Sequence, residues 1–220
     1  MRYERKFVIE ELDKQEVESI IKHNPGMFSE IYHERVVNNI YLDSESLENY
    51  NDNLIGMGQR LKVRIRWYGE TRGLVKKPVL EIKIKSNELG TKRSFPLKPF
   101  KVDKNLSLSF IIEKVISESN LPLDVIEHLK SLKFALLNKY KRKYFSSHDK
   151  KYRMTLDFDL EFYTIHQHSN PFIERIKSDF VILEVKYSKS DDDGAENIIN
   201  NLPFRLTKSS KYVSGIDELY

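Results

Sequence analysis

Six short segments of this chain alternate apolar with charged or polar residues, and that period of two constrains the fold more than any other feature. Alternation puts one set of side chains on each face of a pleated strand, so the segments read as half-buried antiparallel strands. In the first, Tyr3, Phe7 and Ile9 share one face and Arg2, Glu4 and Lys6 the other. Leu61, Val63, Ile65 and Trp67 oppose Arg60, Lys62, Arg64 and Arg66. Leu80, Ile82 and Ile84 oppose Glu81, Lys83 and Lys85, while Met154, Leu156 and Phe158 oppose Arg153, Thr155 and Asp157. Val181, Leu183, Val185 and Tyr187 oppose Ile182, Glu184 and Lys186. The sixth segment, Tyr140 to Phe145, alternates less cleanly and carries Arg142 between two tyrosines.

Helical patterns fill the gaps. Asp13 stands where it can cap a short helix whose inner face is Val17, Ile20 and Ile21. The stripe Phe110, Ile111, Val115 and Ile116 predicts a helix over 105–118, and a second follows over 122–135, the two broken at Asn120-Leu121-Pro122. Ala195, Ile198, Ile199 and Leu202 predict a last short helix, after which Lys208 and Lys211 fall in a C-terminal loop. Asn87-Glu88-Leu89-Gly90 reads as a hairpin turn into a strand through Arg93 and Phe95. A hydrophobic content of 40% over 220 residues is enough for a core and excludes wholesale disorder. With no internal repeat and no linker-like stretch, residues 1–220 read as a single α+β domain on a mainly antiparallel sheet or barrel. The absence of cysteine excludes a disulfide framework, a thiolate zinc site and a cysteine nucleophile. The opening MRYERKFVIEEL carries charge where a secretory segment needs an apolar run, and no window approaches 18 apolar residues. The expectation is a soluble, cytoplasmic protein with no membrane span.

The formal net charge is only +4, so the placement of the charges matters more than their sum. Lys62, Arg64 and Arg66 lie on one face of one strand, roughly 7 Å apart. Like charges at that spacing repel by roughly 2 kcal/mol per pair at an effective dielectric near 20. The polar faces and the C-terminal segment together carry twelve cations: Arg2, Lys6, Lys62, Arg64, Arg66, Lys83, Lys85, Arg142, Arg153, Lys186, Lys208 and Lys211. Four acids stand against them, Glu4, Glu81, Asp157 and Glu184, a surplus of eight that leaves the rest of the chain at −4. Such a concentration asks for a polyanion. Closing the strands into a barrel would turn these faces inward, where charge must be paired or liganded. An anionic chain in the lumen resolves this, because Arg forks match phosphate oxygens and Lys adds point charge. The few carboxylates then either pair with Arg and Lys or hold a divalent metal through hard oxygen ligands.

The ordered motifs also carry a family resemblance. RYERKF at 2–7, NNIYLDS at 38–44, RLKVRIRWYG at 60–69 and LEIKIK at 80–85 are followed by YKRKY at 140–144 and RMTLDFDL at 153–160. VILEVKY at 181–187 and KSSKYVSG at 208–215 complete the set. This series resembles the VTC domain of polyphosphate polymerases, within the CYTH-like triphosphate tunnel metalloenzyme superfamily. The resemblance implies an eight-stranded antiparallel β-barrel, a tunnel whose lumen binds triphosphate and a divalent metal, with helices packed outside. It further implies a stand-alone prokaryotic form. The first strand reads Arg2-x-Glu4-x-Lys6 where the wider superfamily has E-x-E-x-K, a departure that VTC-type members share.

Carried over position by position, Lys6, Arg64, Arg66, Lys83, Arg142, Lys208 and Lys211 match the family's phosphate-binding cations, and Glu184 its metal-binding glutamate. Lys62, Arg153 and Lys186 join the phosphate-binding set by strand parity. Glu4 and Glu81 stand open between metal ligation and salt-bridge partnership, and Asp157 is equally ambiguous. The implied reaction transfers the γ-phosphoryl group of ATP to a growing polyphosphate chain with Mn²⁺ or Mg²⁺. Two other readings remain at this level: a metal-dependent tripolyphosphatase or nucleoside triphosphatase, and a non-catalytic polyanion-binding module. Nucleic acid is disfavoured as a partner, since Trp67 and the strand phenylalanines point away from the basic faces.

Overall fold

A computed structural model describes residues 2–86, 89–170 and 174–220, although the side chains of Arg2, Ser86 and Leu89 lie outside the description. The Asn87-Glu88 part of the expected hairpin turn also lies outside the described residues. Along the chain run β1 (Arg2–Ile9), α1 (Lys14–His23), β2 (Ser29–Asp43), α2 (Glu48–Leu54), β3 (Gln59–Tyr68) and β4 (Gly73–Val75). Then come β5 (Val79–Ser86), β6 (Leu89–Pro96), β7 (Phe100–Val102) and α3 (Leu108–Phe110), which continues into a π-helical turn, Ile111–Ile116. The remainder is α4 (Leu123–Lys130), β8 (Lys133–Ser146), β9 (Arg153–Tyr163), β10 (Arg175–Ser178), β11 (Val181–Ser188), α5 (Asp192–Asn200) and α6 (Lys211–Leu219). The strands hydrogen-bond in the order β1-β11-β9-β8-β2-β3-β5-β6, with β10 on β9 and a separate β4-β7 pair. The fold is therefore α+β on a large sheet, and the pairs β1–β11, β11–β9, β2–β3, β3–β5 and β5–β6 are antiparallel. Among the described residues no helix is long and apolar enough to cross a membrane.

The chain divides into two compact units. The first comprises residues 1–36, 140–160 and 177–210. Its core is built from the apolar faces read above: Phe7 and Ile9, Met154, Leu156 and Phe158, and Val181, Leu183, Val185 and Tyr187. Helix α1 adds Val17 and Ile21, and α5 adds Ala195 and Ile198. The start of α1 is fixed by a reciprocal cap: the Glu16 amide donates to Asp13 at 2.9 Å and the Asp13 amide donates to Glu16 at 2.8 Å. Such a box satisfies two amides that the first helical turn leaves without partners. The free edge of β1 is covered by the segment after α5, where the Thr207 amide donates to the Lys6 carbonyl at 2.8 Å and the Val8 amide to Thr207 Oγ1 at 3.0 Å.

The second unit comprises residues 37–139, 161–176 and 211–220. Here Ile40, Leu42, Val63, Ile65, Trp67, Leu80 and Ile82 form the core side of β2, β3 and β5. Val115, Ile116, Val125 and Leu129 from the helical segments cover it. Two expectations need correction in this unit. The helix expected over 122–135 stops at Lys130, and β8 begins at Lys133. Phe134, Ala135, Leu136 and Leu137 are all buried, and a continuous apolar run fits a strand covered on both faces as well as a helix. The stretch carrying Lys211 is not a loop: Lys211 opens α6, which buries Tyr212, Gly215 and Ile216. The glycine reads as a helix breaker in sequence. In the structure it permits close approach, since a Cβ there would stand 2.6 Å from Phe162 and 2.9 Å from Leu136. Gly215→Val should therefore overpack this contact and cost about 1–3 kcal/mol. A lowered thermal midpoint is the expected reading, and an unchanged midpoint would show that α6 does not depend on the contact.

Candidate functional site

The charged faces of the strands gather into one cluster in each unit. In the first unit the antiparallel register sets Lys6 opposite Glu184 and Glu4 opposite Lys186, with Thr155 and Arg153 next across β9. Opposed side chains share a face, so these rows are neighbours by construction. The Lys6 ammonium lies 3.0 Å from Glu4 Oε1 and 3.6 Å from Glu184 Oε1, and donates to the Ser209 carbonyl at 3.2 Å. Lys186 donates to Glu184 Oε2 at 2.7 Å. Arg142 from β8 grips Asp157 with two parallel bonds, Nε to Oδ1 at 2.5 Å and an η nitrogen to Oδ2 at 2.6 Å. The same η nitrogen stands 3.8 Å from Glu184 Oε2. Asp157 is fully buried, and Glu184 keeps 6% of its side chain exposed. Burial alone would lower the Arg142 pKa, but the charges of Asp157, Tyr140 and Glu184 outweigh it and push the guanidinium well above its ordinary range.

The second unit is organised around one acid. Arg64 places Nε at 2.8 Å and an η nitrogen at 2.6 Å on Glu81 Oε2, Lys92 donates to Oε1 at 2.7 Å, and Arg66 stands 3.7 Å from Oε2. Burial favours the neutral acid, yet Arg64, Arg66 and Lys92 together hold Glu81 at a pKa of about 2. Lys62, Lys83 and Lys92 lie in one row across β3, β5 and β6. Arg66 is aimed by an amide relay: its Nε donates to Asn39 Oδ1 at 2.8 Å, and Asn39 Nδ2 donates to Asn138 Oδ1 at 2.7 Å. An Arg side chain only donates, so it fixes the orientation of both amides. Arg64 also meets the Tyr41 hydroxyl at 3.3 Å, and the Tyr41 ring stacks on Tyr212 with centroids 5.0 Å apart. The Tyr212 hydroxyl donates to the buried Asp43, which also accepts the Asn49 and Tyr50 amides at 2.9 Å. Burial and the Asp43 bond push the Tyr212 pKa far up.

The predicted residues thus fall into two sets. Lys6, Glu4, Arg142, Glu184 and Lys186 meet in the first unit, with exposed Arg153 at the rim of the same face. Lys62, Arg64, Arg66, Glu81 and Lys83 meet in the second. Lys208 is exposed in the segment that covers β1, and Lys211 begins α6. Asn39, Tyr41, Asp43, Lys92, Asn138 and Tyr212 are the additions that the sequence reading missed. Their signal was partly present: positions 39, 41 and 43 of NNIYLDS share one face of β2, and register sets Asn39 against Arg66 and Tyr41 against Arg64.

The two faces differ in charge. The described side chains facing with Glu81 on β3, β5 and β6 include seven cations, Arg60, Lys62, Arg64, Arg66, Lys83, Lys85 and Lys92, against that one acid. On the face of β1, β8, β9 and β11, Lys6, Arg142, Arg153 and Lys186 meet Glu4, Asp157 and Glu184. Counted over the described side chains, the first face is at +6 and the second only at +1. One is built to attract anions, while the other holds carboxylates in reach of several cations. Among the described residues no group of three or more His, Asp or Glu stands ready to hold a metal alone.

A family model described as the VTC domain matches residues 1–220. Among curated protein sequences none gave a match. Several solved structures share the fold at low identity. HpAC1 from Hippeastrum, a candidate adenylyl cyclase with a dominant triphosphatase activity, is 13% identical with a TM-score of 0.55, over 99% of this chain and 96% of that one. A candidate adenylate cyclase from Vibrio parahaemolyticus is 8% identical at 0.51, over 96% and 98%. PH1819 from Pyrococcus horikoshii is 11% identical at 0.50, over 98% and 96%.

The depressed Glu81 pKa has a stability consequence of definite sign. A carboxylate held below its unfolded value stabilises the fold above about pH 4.5, and the stabilisation drains away as the pH falls towards 2. The loss is of order 3 kcal/mol. Glu81→Gln should lower the thermal midpoint at neutral pH and flatten its fall between pH 4.5 and 2. Parallel midpoint curves for variant and wild type would overturn this account.

Proposed function

The chain belongs to the VTC domain family across residues 1–220, and from that premise we propose that it is a divalent-metal-dependent polyphosphate polymerase that transfers the γ-phosphoryl group of ATP to a growing polyphosphate chain. On this reading the strands close into the eight-stranded tunnel that the family resemblance implies, with the charged faces inward. One observation supports it above the others: three guanidiniums on the strand faces opposite the apolar cores are charged yet secluded, while Lys83, Lys92 and Arg153 on those faces are exposed. Arg142 and Arg66 keep 11% and 12% of their side chains exposed, and Arg64 24%. The wet outer face of a sheet would leave such long cations far more open. Glu81 and Asp157 answer part of this charge, and phosphate oxygens match the donors that the Arg forks keep to spare.

The chemistry needs positioning and charge neutralisation more than covalent help. The +6 face supplies ground-state affinity through Lys62, Lys83, Arg64 and Arg66. Arg142, clamped by Asp157, meets transition-state charge without reorganising. A terminal oxygen of the polyphosphate chain attacks the γ-phosphorus. The new P–O bond forms as the bond to the β-phosphate oxygen breaks, and ADP leaves. That nucleophile is already an anion, so no general base is needed. The donor set fits a hard divalent cation: Glu184 and Glu4 present carboxylate oxygens around a shared position now answered by the Lys6 ammonium. Mg²⁺ commonly takes one or two carboxylates and completes its shell with phosphate and water. Glu184 and Glu4 would hold the metal, which when bound neutralises phosphate oxygens. Glu81 spends both carboxylate oxygens on Arg64 and Lys92 and acts as a charge partner. Hydrolysis of triphosphate by the same residues is the competing reading, favoured by the triphosphatase activity of the Hippeastrum neighbour.

Incubation with ATP and Mn²⁺ or Mg²⁺ should yield long polyphosphate on a gel. Free phosphate alone would transfer the assignment to the hydrolase, and neither product would remove both. Glu184→Gln should abolish turnover while tripolyphosphate still binds in calorimetry without metal. Loss of folding would make Glu184 a structural partner instead. A polymerase must hold an acceptor chain beyond the three phosphates of ATP, a task suited to Lys208 and Lys211. Lys208→Ala with Lys211→Ala should slow elongation at least tenfold, about 1.4 kcal/mol in barrier, and an unchanged rate would count against the polymerase.

A further inference from the structure

Within the first unit, three side chains form an aromatic and cationic cluster next to Arg142. Tyr32 is 51% exposed, in the half of β2 that faces solvent. Its ring meets Tyr144 of β8 edge to face, with centroids 5.7 Å apart and planes at 89°. The Arg35 guanidinium lies 4.8 Å from the Tyr32 ring centroid and 5.6 Å from that of Tyr144. Tyr144 in turn stands 5.9 Å from the Arg142 guanidinium, and Arg142 is part of the phosphate cluster. A row of phosphate cation, buried-to-open aromatic and exposed aromatic therefore runs out along one strand neighbourhood.

We propose that Tyr32, Arg35 and Tyr144 form the subsite for the base of a nucleoside triphosphate whose phosphates engage Arg142; the assignment rests on the triphosphate-binding reading above. The chemistry suits a base and no other part of that substrate. A nucleobase is flat, uncharged and carries a π-face, so it stacks on an exposed tyrosine or on a guanidinium plane. A phosphate chain has no such face and gains nothing from a ring. The edge-to-face contact with Tyr144 and the cation over both rings hold Tyr32 in place before the ligand arrives, which reduces the ordering cost of stacking. Tyr144 contacts both Tyr32 and Arg142, which sets the stacking ring two contacts away from the phosphate cation. The arrangement discriminates nucleotide from inorganic triphosphate by surface, since both share the same phosphates.

The test uses the full chain and two probes, ATP and inorganic tripolyphosphate, measured by titration calorimetry without turnover. Tyr32→Ala and Arg35→Ala should each weaken ATP about tenfold, and Tyr32→Trp should restore it. Tripolyphosphate should bind all three variants as it binds the wild type, which also certifies their fold. Equal affinity of wild type and alanine variants for ATP would overturn the subsite and leave the phosphate reading intact. Loss of both ligands in the alanine variants would make the cluster structural and overturn it as well. A wild type that binds neither probe would overturn the subsite together with the reading beneath it.

Discussion

A row of like charges on a pleated strand can fold only where an opposite charge answers it, and most of the architecture follows from how these cations are answered. Neighbouring cations on one strand face repel by roughly 2 kcal/mol per pair. Against a net stability of about 5–15 kcal/mol for a whole domain, several such pairs would be prohibitive. Glu81 answers Arg64, Arg66 and Lys92 together, and the field those cations create depresses its pKa. Asp157 answers Arg142, and Glu184 sits within reach of Lys6, Arg142 and Lys186. Removing one acid from such a cluster leaves desolvated charge behind, a far larger penalty than the loss of an exposed pair. The same acids leave each face short of neutrality, and the remainder is what a phosphate chain can complete.

Much of this was legible in the period-two pattern. Once the residues of β1, β3, β5, β9 and β11 alternate, parity alone assigns each charge to a face, and the registers observed put those faces together as read. Asp13 as a helix cap was legible for a local reason, the reciprocal bonds with Glu16. What escaped depends on contacts distant in sequence. The strand from Lys133 lies hidden in a continuous apolar run, and α6 is defined by burial of Tyr212 and Ile216 around a glycine. Asn39 and Asn138 are 99 positions apart, and nothing local says that one amide orients the other. Nothing local marks Asp43 as a site residue, because its partner Tyr212 lies 169 positions away. The charge partnership of Glu81 needed the side chains themselves, since hard-oxygen chemistry suits metal and guanidinium alike.

The cations differ in how much freedom they keep. Arg142 is held at two points by Asp157, and Arg66 is anchored through Asn39, so the rotamer entropy of both is already spent on folding. Arginine suits such posts because its planar fork keeps donors to spare after one edge is committed. Lys208, exposed in a segment without regular structure, and Lys92, half exposed, keep more of their conformational range. The guanidiniums of Arg142 and Arg66 lie deep in the clusters, while the ammoniums of Lys92 and Lys208 lie nearer the solvent.

The imbalance between the two faces, one at +6 and the other at +1, reaches beyond any reaction. A concentrated positive field collects counterions, and a multivalent anion replaces several monovalent ones with a gain in entropy. Any anion bound only by the folded chain raises its apparent stability by mass action. For any such anion the apparent stability becomes a joint property of the polypeptide and its buffer, governed by anion valence before ionic strength. A fold that binds phosphate and not chloride is, in thermodynamic terms, a different complex in each buffer.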